Sequence, residues 1–392
     1  MRRVAVFGAT GSVGTSTLDL IGRRDDLAVA VLTGGRNVEL LAQMARRHRA
    51  GLAVTAHEEC YRPLKAALAG SGTEVAAGPG AIAEAALVPA DWTMSAIVGA
   101  AGLAPGFTAL AQGGTLALAN KESLVTAGPL LLAEAARHGA TILPVDSEHS
   151  AVFQALAGET TAAVEEVTIT ASGGGLRDWP LERLAQATPE EAGRHPNWDM
   201  GQRITIDSAS MFNKAMEVIE AREFFGLAPE QIRVLIHPQS LVHALVAFRD
   251  GAVMAHLGAP DMRHAIGYAL NWPRRDPLPV ARLDLARAGR LDFAEPDLTR
   301  WPALRLARQV MEVRGAAGAV FNAAKEVALD GFLDRRIGFM DMAGVVEATL
   351  SHYDSAASLT QGPGSLADVL AIDAAARRLA GAQVERVAAA RN

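Results

Sequence analysis

Over the first 145 residues, short apolar runs alternate with longer stretches that repeat apolar residues at the helical period. The runs VAVFGA, LAVAVLTGG, TLALA and TILPV end in turn residues, whereas NVELLAQMARRHR has the spacing of an amphipathic helix. Strand-like and helix-like segments in alternation are typical of a parallel, doubly wound sheet. The pattern therefore predicts an α/β fold with a Rossmann-like N-terminal domain over residues 1–145.

The pattern changes after this segment. The strand-like EEVTITA leads into SGGG, one helix is predicted over DSASMFNKAMEVIEAREFFG, and LVHALVAF-RDG-AVMAHL has the form of a β-hairpin. We therefore expect a central α/β catalytic domain over 146–270. A proline-rich connecting arm follows over 271–298, and amphipathic periodicity over 299–392 predicts a C-terminal α-helical domain.

Length and composition narrow the class of protein. A chain of 392 residues, 50% hydrophobic and 20% charged, is expected to form two or three domains. The net charge of −6 disfavours nucleic acid as a partner. A single cysteine, Cys60, excludes an intrachain disulfide and a cysteine-ligated metal. No signal peptide and no apolar run of roughly 18 residues is evident, so we expect a cytoplasmic enzyme without membrane contact.

The glycine-spaced turn in VAVFGATGSVGTSTLDLI lies between a predicted strand and a predicted helix. Such a turn lets backbone N–H groups reach a pyrophosphate at the helix N-terminus, although many turns of this kind need glycine only for geometry. The second strand ends in LTGGRNVEL, with Arg36 in place of the acidic residue that usually binds an NAD ribose. Arg36 therefore favours NADP, whose extra phosphate a guanidinium pairs with well, unless Arg36 only solvates the helix start.

Asn120, Lys121 and Glu122, in LANKESLV, lie where a strand gives way to a helix, near the expected ligand edge of the sheet. Asn120 fits a cofactor contact and a helix N-cap equally well.

The segment PVDSEHSA places two carboxylates close together. If Asp146 and Glu148 stand at i and i+2 on a strand end, their side chains point to the same side and repel each other. A positive group is therefore expected between them.

The region 172–217 holds a second group of candidates. SGGG exposes several N–H groups, as an anion-binding loop or as a flexible turn. Ser208 is expected near a helix N-terminus, and Asn213, Lys214 and Glu217 can share one side of that helix, facing either a ligand or solvent. The loop HPNWDMG, from His195, is predicted to cover a ligand, unless its tryptophan is a local packing anchor.

The motifs GATGSVG, LANKESLV, PVDSEHSA, ASGGG, HPNWDMG, DSASMFNKAMEVIEA and HPQSLVHALV occur in one order. In this respect the chain resembles the 1-deoxy-D-xylulose 5-phosphate reductoisomerase family over essentially its full length. The resemblance implies conversion of that sugar phosphate to 2-C-methyl-D-erythritol 4-phosphate, in non-mevalonate isoprenoid precursor synthesis. It also implies a homodimer.

The resemblance assigns roles to individual residues. The metal ligands are Asp146, Glu148 and Glu217, which with Lys214 and His195 form the implied catalytic group. The substrate contacts are Ser147, Glu148, Ser172, His195, Ser208, Asn213, Lys214 and Glu217, and the mobile flap carries Trp198 and Met200. The cofactor contacts are Thr10, Gly11, Ser12, Val13, Gly35, Arg36, Asn37, Asn120, Lys121, Glu122 and Gly201.

The chain departs from the family pattern at a few positions. It has Gly175-Leu176 where a Pro-Phe pair is usual, Ala215 where glycine is usual, and Lys325 where a second asparagine is usual. None of these changes removes an implied ligand.

Three carboxylates suit Mg²⁺ or Mn²⁺, because both ions prefer hard oxygen ligands. The metal would stabilise negative charge during the carbon rearrangement, and NADPH would supply a hydride. Two alternatives are an NADP-dependent sugar-phosphate or semialdehyde dehydrogenase without skeletal rearrangement, and a non-enzymatic NADP-sensing module.

Overall fold

The computed structural model describes residues 1–198 and 201–391. Within these ranges the chain forms two compact units. The first unit comprises 1–123, 131–150 and 261–281, and the second comprises the described residues within 124–130, 151–260 and 282–392. The division into four consecutive functional segments stays a prediction.

The first unit is built on a parallel sheet. Its strands are β1 (Arg2–Phe7), β2 (Leu27–Gly34), β3 (Leu52–Thr55), β4 (Glu74–Ala77), β5 (Trp92–Ser95), β6 (Thr115–Leu118) and β7 (Thr141–Pro144). They lie in the order β4-β3-β2-β1-β5-β6-β7, and all neighbours are parallel. The order reverses between β1 and β5, and such a reversal leaves a ligand crevice at the carboxyl ends of the strands. The predicted Rossmann-like fold is confirmed.

The second unit contains a mixed sheet. Its strands are β8 (Val164–Ala171), β9 (Ile232–Ile236), β10 (Val242–Phe248) and β11 (Val253–Leu257). They lie in the order β11-β10-β8-β9, with β8 and β9 parallel and the other pairs antiparallel. The hairpin predicted around RDG is confirmed, because β10 and β11 pair with Leu245 opposite Ala255.

Helices surround both sheets. In chain order they are α1 (Ser12–Ile21), α2 (Val38–His48), α3 (Tyr61–Ala67), α4 (Pro79–Ala85), α5 (Leu103–Leu110), α6 (Glu122–His138), α7 (Ser147–Ala155), α8 (Leu181–Leu184), α9 (Pro189–Ala192), α10 (Gln202–Ala209), α11 (Phe212–Phe225), α12 (Arg263–Asn271), α13 (Leu285–Ala288), α14 (Pro302–Val313), α15 (Ala317–Leu333), α16 (Asp341–Ala357) and α17 (Leu366–Arg391). The run from α14 to α17 confirms the predicted helical C-terminal region. Among the described residues, each helix is either too short or too polar to cross a bilayer.

The core of the second unit joins its sheet to its long helices. It contains Ile169 of β8, Val246 of β10, Phe212 of α11 and Phe321 of α15, all at most 2% exposed. The rings of Phe212 and Phe321 have centroids 5.8 Å apart. This packing gives α11 and α15 fixed positions within the unit, because close-packed cores tolerate little displacement.

The carboxylates of PVDSEHSA do not share a strand, so that prediction is wrong. Strand β7 ends at Pro144, and Glu148 lies in the first turn of α7. The backbone N–H of Ser150 donates to the carbonyl oxygen of Asp146 (2.8 Å), which closes a helical turn immediately after the strand. The alternation of strand side chains therefore does not apply, and a carboxylate in the first helical turn is stabilised by the helix dipole.

The single helix predicted from Ser208 is also wrong, because two helices meet there. Ser208 lies in the last turn of α10, and α11 begins after Met211, which has a left-handed backbone (φ 63°). The Ser210 hydroxyl donates to the carbonyl oxygens of Ile206 (2.9 Å) and Asp207 (3.3 Å). These bonds satisfy carbonyl groups at the end of α10, and the left-handed residue turns the chain into the next helix.

Candidate active site

The glycine turn after β1 brings backbone N–H groups to the carboxyl end of the first sheet. Helix α1 begins at Ser12 with Gly11 at its N-cap, so the N–H groups of its first turn lack acceptors within the helix. A Cβ at Gly14 would lie 2.3 Å from the carbonyl oxygen of Gly8, so only glycine lets the helix start this close to the strand. These N–H groups and the helix dipole suit a pyrophosphate. The predicted cofactor residues in this turn are Thr10, Gly11, Ser12 and Val13.

The end of β2 carries the residues predicted to select the cofactor. Gly35 follows the strand, and the Asn37 side chain accepts a hydrogen bond from the Leu40 N–H (3.1 Å) and so caps α2. Arg36 forms an ion pair with Glu59, and both side chains are mostly exposed. A hydrogen bond from its own backbone N–H, and then the Arg36 guanidinium, lower the pKa of Glu59. An anionic ligand of Arg36 would therefore compete with an ionised carboxylate.

Asn120 is buried between β6 and α6. Its Nδ2 donates to the carbonyl oxygens of Ile97 (2.7 Å) and Gly99 (3.0 Å) and to the Glu122 carboxylate (2.8 Å). Its Oδ1 accepts from the Ser123 N–H (3.0 Å) in the first turn of α6. Asn120 was predicted to be either a cofactor contact or a helix N-cap. It lies one residue before the N-cap of α6, which is Lys121, and its amide ties the loop after β5 to the first turn of α6. The cofactor contacts of Asn120 and Glu122 stay predictions.

A positive group beside the first carboxylate is found in Lys121. Its Nζ lies 2.6 Å from Asp146 Oδ2, and both side chains are mostly buried. Lys121 follows β6 and Asp146 follows β7, and these parallel neighbours pair Leu118 with Pro144 at their ends. Lys121, which was predicted to contact the cofactor, thus compensates the charge of Asp146, a predicted metal ligand.

The first turn of α7 carries three polar side chains. The Ser147 hydroxyl donates to the Glu148 carboxylate (2.5 Å), which orients the second predicted metal ligand of this unit. His149 is fully buried, and its Nδ1 lies 4.0 Å from Asp146 Oδ2. Glu148 is thus oriented by its neighbour, whereas 4.0 Å between His149 and Asp146 is longer than a hydrogen bond.

The second unit contributes the third carboxylate, on α11. One carboxylate oxygen of Glu217 accepts a hydrogen bond from Asn213 Nδ2 (2.5 Å). The other oxygen forms an ion pair with Lys214 Nζ. The side chains of Lys214 and Glu217 are only 4% and 1% exposed. A buried lysine and carboxylate are stable together because each compensates the charge of the other. The predicted sharing of one helix side by these three residues is confirmed, and they are not a solvated surface.

The loop after β8 and the segment containing His195 are joined by hydrogen bonds. His195 Nε2 lies 3.0 Å from the Ser172 hydroxyl, and Gly174 N–H donates to that hydroxyl (3.1 Å). His195 Nδ1 accepts from the N–H groups of Asn197 (3.1 Å) and Trp198 (2.9 Å). Nδ1 is therefore unprotonated and Nε2 carries the hydrogen. Burial lowers the pKa of His195, which favours this neutral form.

The turn at Ser208 packs directly on the glycine loop. A Cβ at Gly174, whose φ is +69°, would lie 2.4 Å from Cα of Ala209. On the same residue, the carbonyl oxygen of Ala209 accepts from Trp301 Nε1 (3.2 Å). Ser172, His195 and the Ser208 turn are thus brought together within the second unit.

The structure describes residues 195–198 and 201 of the predicted flap. Asn197 Nδ2 donates to the Pro238 carbonyl (2.6 Å) and the Ser240 hydroxyl (2.9 Å), which anchors the segment before Trp198. Gly201 is the N-cap residue of α10. Met200, predicted as a flap residue, lies outside the described residues. Covering of a ligand by this loop stays a prediction.

Some residues of these sites were not predicted from the sequence. Glu59, which pairs with Arg36, Trp301, which binds the Ser208 turn, and the anchoring role of Asn197 all depend on contacts between distant segments. Only Asn197 had a local signal in the sequence: the Pro-Asn pair before the loop tryptophan indicates an ordered turn.

The first unit has the fold of a dinucleotide-dependent oxidoreductase, and the second contains a buried Lys214–Glu217 ion pair and a hydrogen-bonded contact between Ser172 and His195. Together these features are typical of the α/β enzymes that reduce anionic substrates. Models of protein families identify the family within this class. The model described as 1-deoxy-D-xylulose 5-phosphate reductoisomerase matches residues 4–128. Two models of the C-terminal domains of the same enzyme match 142–225 and 257–379. The chain belongs to the 1-deoxy-D-xylulose 5-phosphate reductoisomerase family, as its motifs predicted.

Individual relatives are similar to this chain over nearly its whole length. The reductoisomerase of Jannaschia sp. (strain CCS1) is 67% identical over 386 residues, covering 98% of each chain, and that of Ruegeria pomeroyi is 66% identical over 379 residues, covering 96% of each. The solved Zymomonas mobilis enzyme, in complex with NADPH, is 48% identical, with a TM-score of 0.91 over 98% of this chain and 99% of that one. A reductoisomerase in complex with NADPH, fosmidomycin and magnesium is 38% identical, with a TM-score of 0.92 over 98% of each chain.

Proposed function

We propose that this protein converts 1-deoxy-D-xylulose 5-phosphate to 2-C-methyl-D-erythritol 4-phosphate with NADPH and Mg²⁺ or Mn²⁺. The observation that carries the proposal is the group of Asn213 with the buried Lys214 and Glu217, which combines an amide, an ammonium and a carboxylate on one helix side. A dehydrogenase that only transfers a hydride has no need of a divalent-metal ligand at this position. The similarity to solved relatives that contain NADPH and magnesium supports the same reading.

The carboxylates of both units fit a hard divalent cation. Asp146, Glu148 and Glu217 would hold it, and oxygen ligands of this kind are those that Mg²⁺ and Mn²⁺ prefer. Asp146 and Glu217 each have a lysine partner, so each carboxylate is supported as an anion by a neighbouring ammonium. When bound, such a cation supplies Lewis-acid stabilisation of negative charge on substrate oxygens.

The residues of the second unit would bind and orient the substrate. The Nε2–H of His195 is a hydrogen-bond donor beside Ser172, and the N–H groups of the glycine loop are suited to a phosphate. Ser208 and Asn213 would add uncharged donors, and Lys214 would add positive charge. Binding energy from the remote phosphate would then align the reacting carbons.

The first unit would bind NADPH, which supplies the hydride. The pyrophosphate would lie at the glycine turn before α1, and Arg36 would pair with the phosphate of the adenosine ribose in place of Glu59. Gly35, Asn37, Asn120, Lys121, Glu122 and Gly201 complete the proposed cofactor contacts. The flap around Trp198 would exclude water while the reaction proceeds.

The test is NADPH oxidation by the purified full-length chain with 1-deoxy-D-xylulose 5-phosphate. We expect oxidation to require Mg²⁺ or Mn²⁺, to stop with EDTA, and to yield a product with a branched carbon skeleton by NMR. Oxidation that continues in EDTA and leaves an unbranched product would instead identify a dehydrogenase.

We propose further that the enzyme is a cytoplasmic homodimer that acts on a small molecule, without a nucleic acid or membrane partner. Family membership supports the dimer. Light scattering during gel filtration measures the assembly directly, and a monomeric mass at micromolar concentration would contradict the dimer.

A further inference from the structure

Helix α15 carries a buried lysine. Lys325 lies on a helix whose residues are mostly buried, and its Nζ is 3.0 Å from Asp207 Oδ2 on α10. The two side chains are 7% and 10% exposed. A buried pair of this kind is costly to break, because either charge alone would be uncompensated in a poorly solvated place. The pair therefore fixes the end of α10 relative to α15.

The position of this pair along α10 is informative. Asp207 immediately precedes Ser208 in the last turn of α10, and the chain turns into α11 at Met211. The next residue, Ala209, already has two contacts: its Cα packs against Gly174, and its carbonyl oxygen accepts from the indole N–H of Trp301. Lys325 adds a third restraint, through a charged side chain.

A second link between the same helices provides a comparison. Arg203, near the start of α10, pairs with Asp330 of α15 at 2.5 Å, and these side chains are 45% and 54% exposed. An exposed pair contributes little stability but does connect the helices. Attachment of α10 to α15 therefore does not by itself require a buried charge beside Ser208.

We propose that Lys325 is a positioning residue for the substrate phosphate. Through its ion pair with Asp207, it holds the Ser208 turn against the glycine loop, so that Ser208 meets the same anion as Ser172 and His195. Lys325 itself does not touch the substrate. The inference rests on the proposed function, because it assumes that Ser208 binds the phosphate.

The first test is Lys325→Met in the full-length enzyme. We expect the KM for 1-deoxy-D-xylulose 5-phosphate to rise roughly tenfold, the effect of losing one hydrogen bond to a charged group. The KM for NADPH should stay within about twofold, because the glycine turn and Arg36 are unchanged. The matched control is Arg203→Gln, which removes the exposed link between the same helices and should leave the substrate KM unaltered. An unchanged KM in Lys325→Met would overturn the proposal.

The second test separates positioning from general stability. Lys325→Met leaves the Asp207 carboxylate without this cation and should lower the melting temperature. The double variant Asp207→Asn/Lys325→Met removes both charges, so most of the melting temperature should return while the substrate KM stays raised. If the KM returns together with the melting temperature, the pair is only structural and the proposal fails. The double variant also serves if the single variant does not fold.

Calorimetric titration with inorganic phosphate distinguishes this proposal from the proposed function. Phosphate should bind the parent protein and bind Lys325→Met roughly tenfold more weakly. If the parent binds phosphate but does not turn over the sugar phosphate, the proposed reaction is wrong while the positioning role still stands. If the parent and Lys325→Met bind phosphate equally, the positioning role is wrong whatever the reaction.

Discussion

Replacing Glu217 with glutamine tests both the ion pair and the metal site. The change keeps the size of the side chain and an oxygen that can accept a hydrogen bond, but it removes the charge that compensates Lys214. Because both side chains are almost fully buried, water cannot take over this compensation. The variant should therefore be less stable than the parent even without metal.

The expected magnitude follows from the burial of the pair. Breaking a buried pair by removing one partner costs about 3–5 kcal/mol, and the remaining amide oxygen places this case near the lower end, at about 3 kcal/mol. The matched control is Asp330→Asn, which breaks the exposed pair with Arg203 and should cost about 0–1 kcal/mol. Urea denaturation in EDTA, followed by tryptophan fluorescence, measures both losses.

The same variant reports on metal binding without relying on activity. A ligand at a hundredfold excess over its Kd stabilises the folded parent by about 2.7 kcal/mol, so Mn²⁺ should raise the urea midpoint of the parent. In Glu217→Gln this gain should largely disappear, together with turnover. If the three carboxylates merely repelled one another, the metal-free variant would be at least as stable as the parent, and that result would refute the importance of the Lys214 pair. A variant that keeps the full Mn²⁺ response would refute the role of Glu217 as a ligand.

Three further predictions concern other parts of the molecule. Arg36→Ala should raise the KM for NADPH by about tenfold or more, since a hydrogen bond to a charged group is worth about 1.5–3 kcal/mol, while NADH kinetics stay unchanged; equal weakening of both cofactors would contradict this role. Burial lowers the pKa of His195 below 6.5, so its contribution to stability is complete above pH 6.5 and is lost as the pH falls through the folded-state value. Urea titrations at pH 7 and pH 5 should therefore show a larger loss for the parent than for His195→Gln, and equal losses would show that His195 protonation is not linked to unfolding. Asn120→Ala leaves the bonds to Ile97, Gly99 and Ser123 unmade and should reduce the free energy of unfolding by about 1–3 kcal/mol; a variant as stable as the parent would show that the amide has no structural role.

Local patterns were sufficient to predict the architecture of both units. The parallel sheet, the glycine turn before α1 and the hairpin of β10 and β11 depend on periodicity and turn chemistry within short windows, which a single sequence displays. The sharing of one helix side by Asn213, Lys214 and Glu217 follows from helical geometry for the same reason. The break at Met211 was missed because methionine carries no signal for a left-handed backbone.

The identity of ion-pair partners required the tertiary structure, but to different degrees. Lys121 and Asp146 follow neighbouring parallel strands, so their meeting could have been inferred once β6 and β7 were assigned as adjacent. Lys325 and Asp207 are separated by 118 positions and lie on two helices whose packing no periodicity specifies. A lysine in a buried position nevertheless implies a carboxylate somewhere opposite it, because an uncompensated charge would be expelled or neutralised. A charge in a buried position is thus evidence for a distant partner, and in this chain the partner adjoins the residue proposed to bind the phosphate.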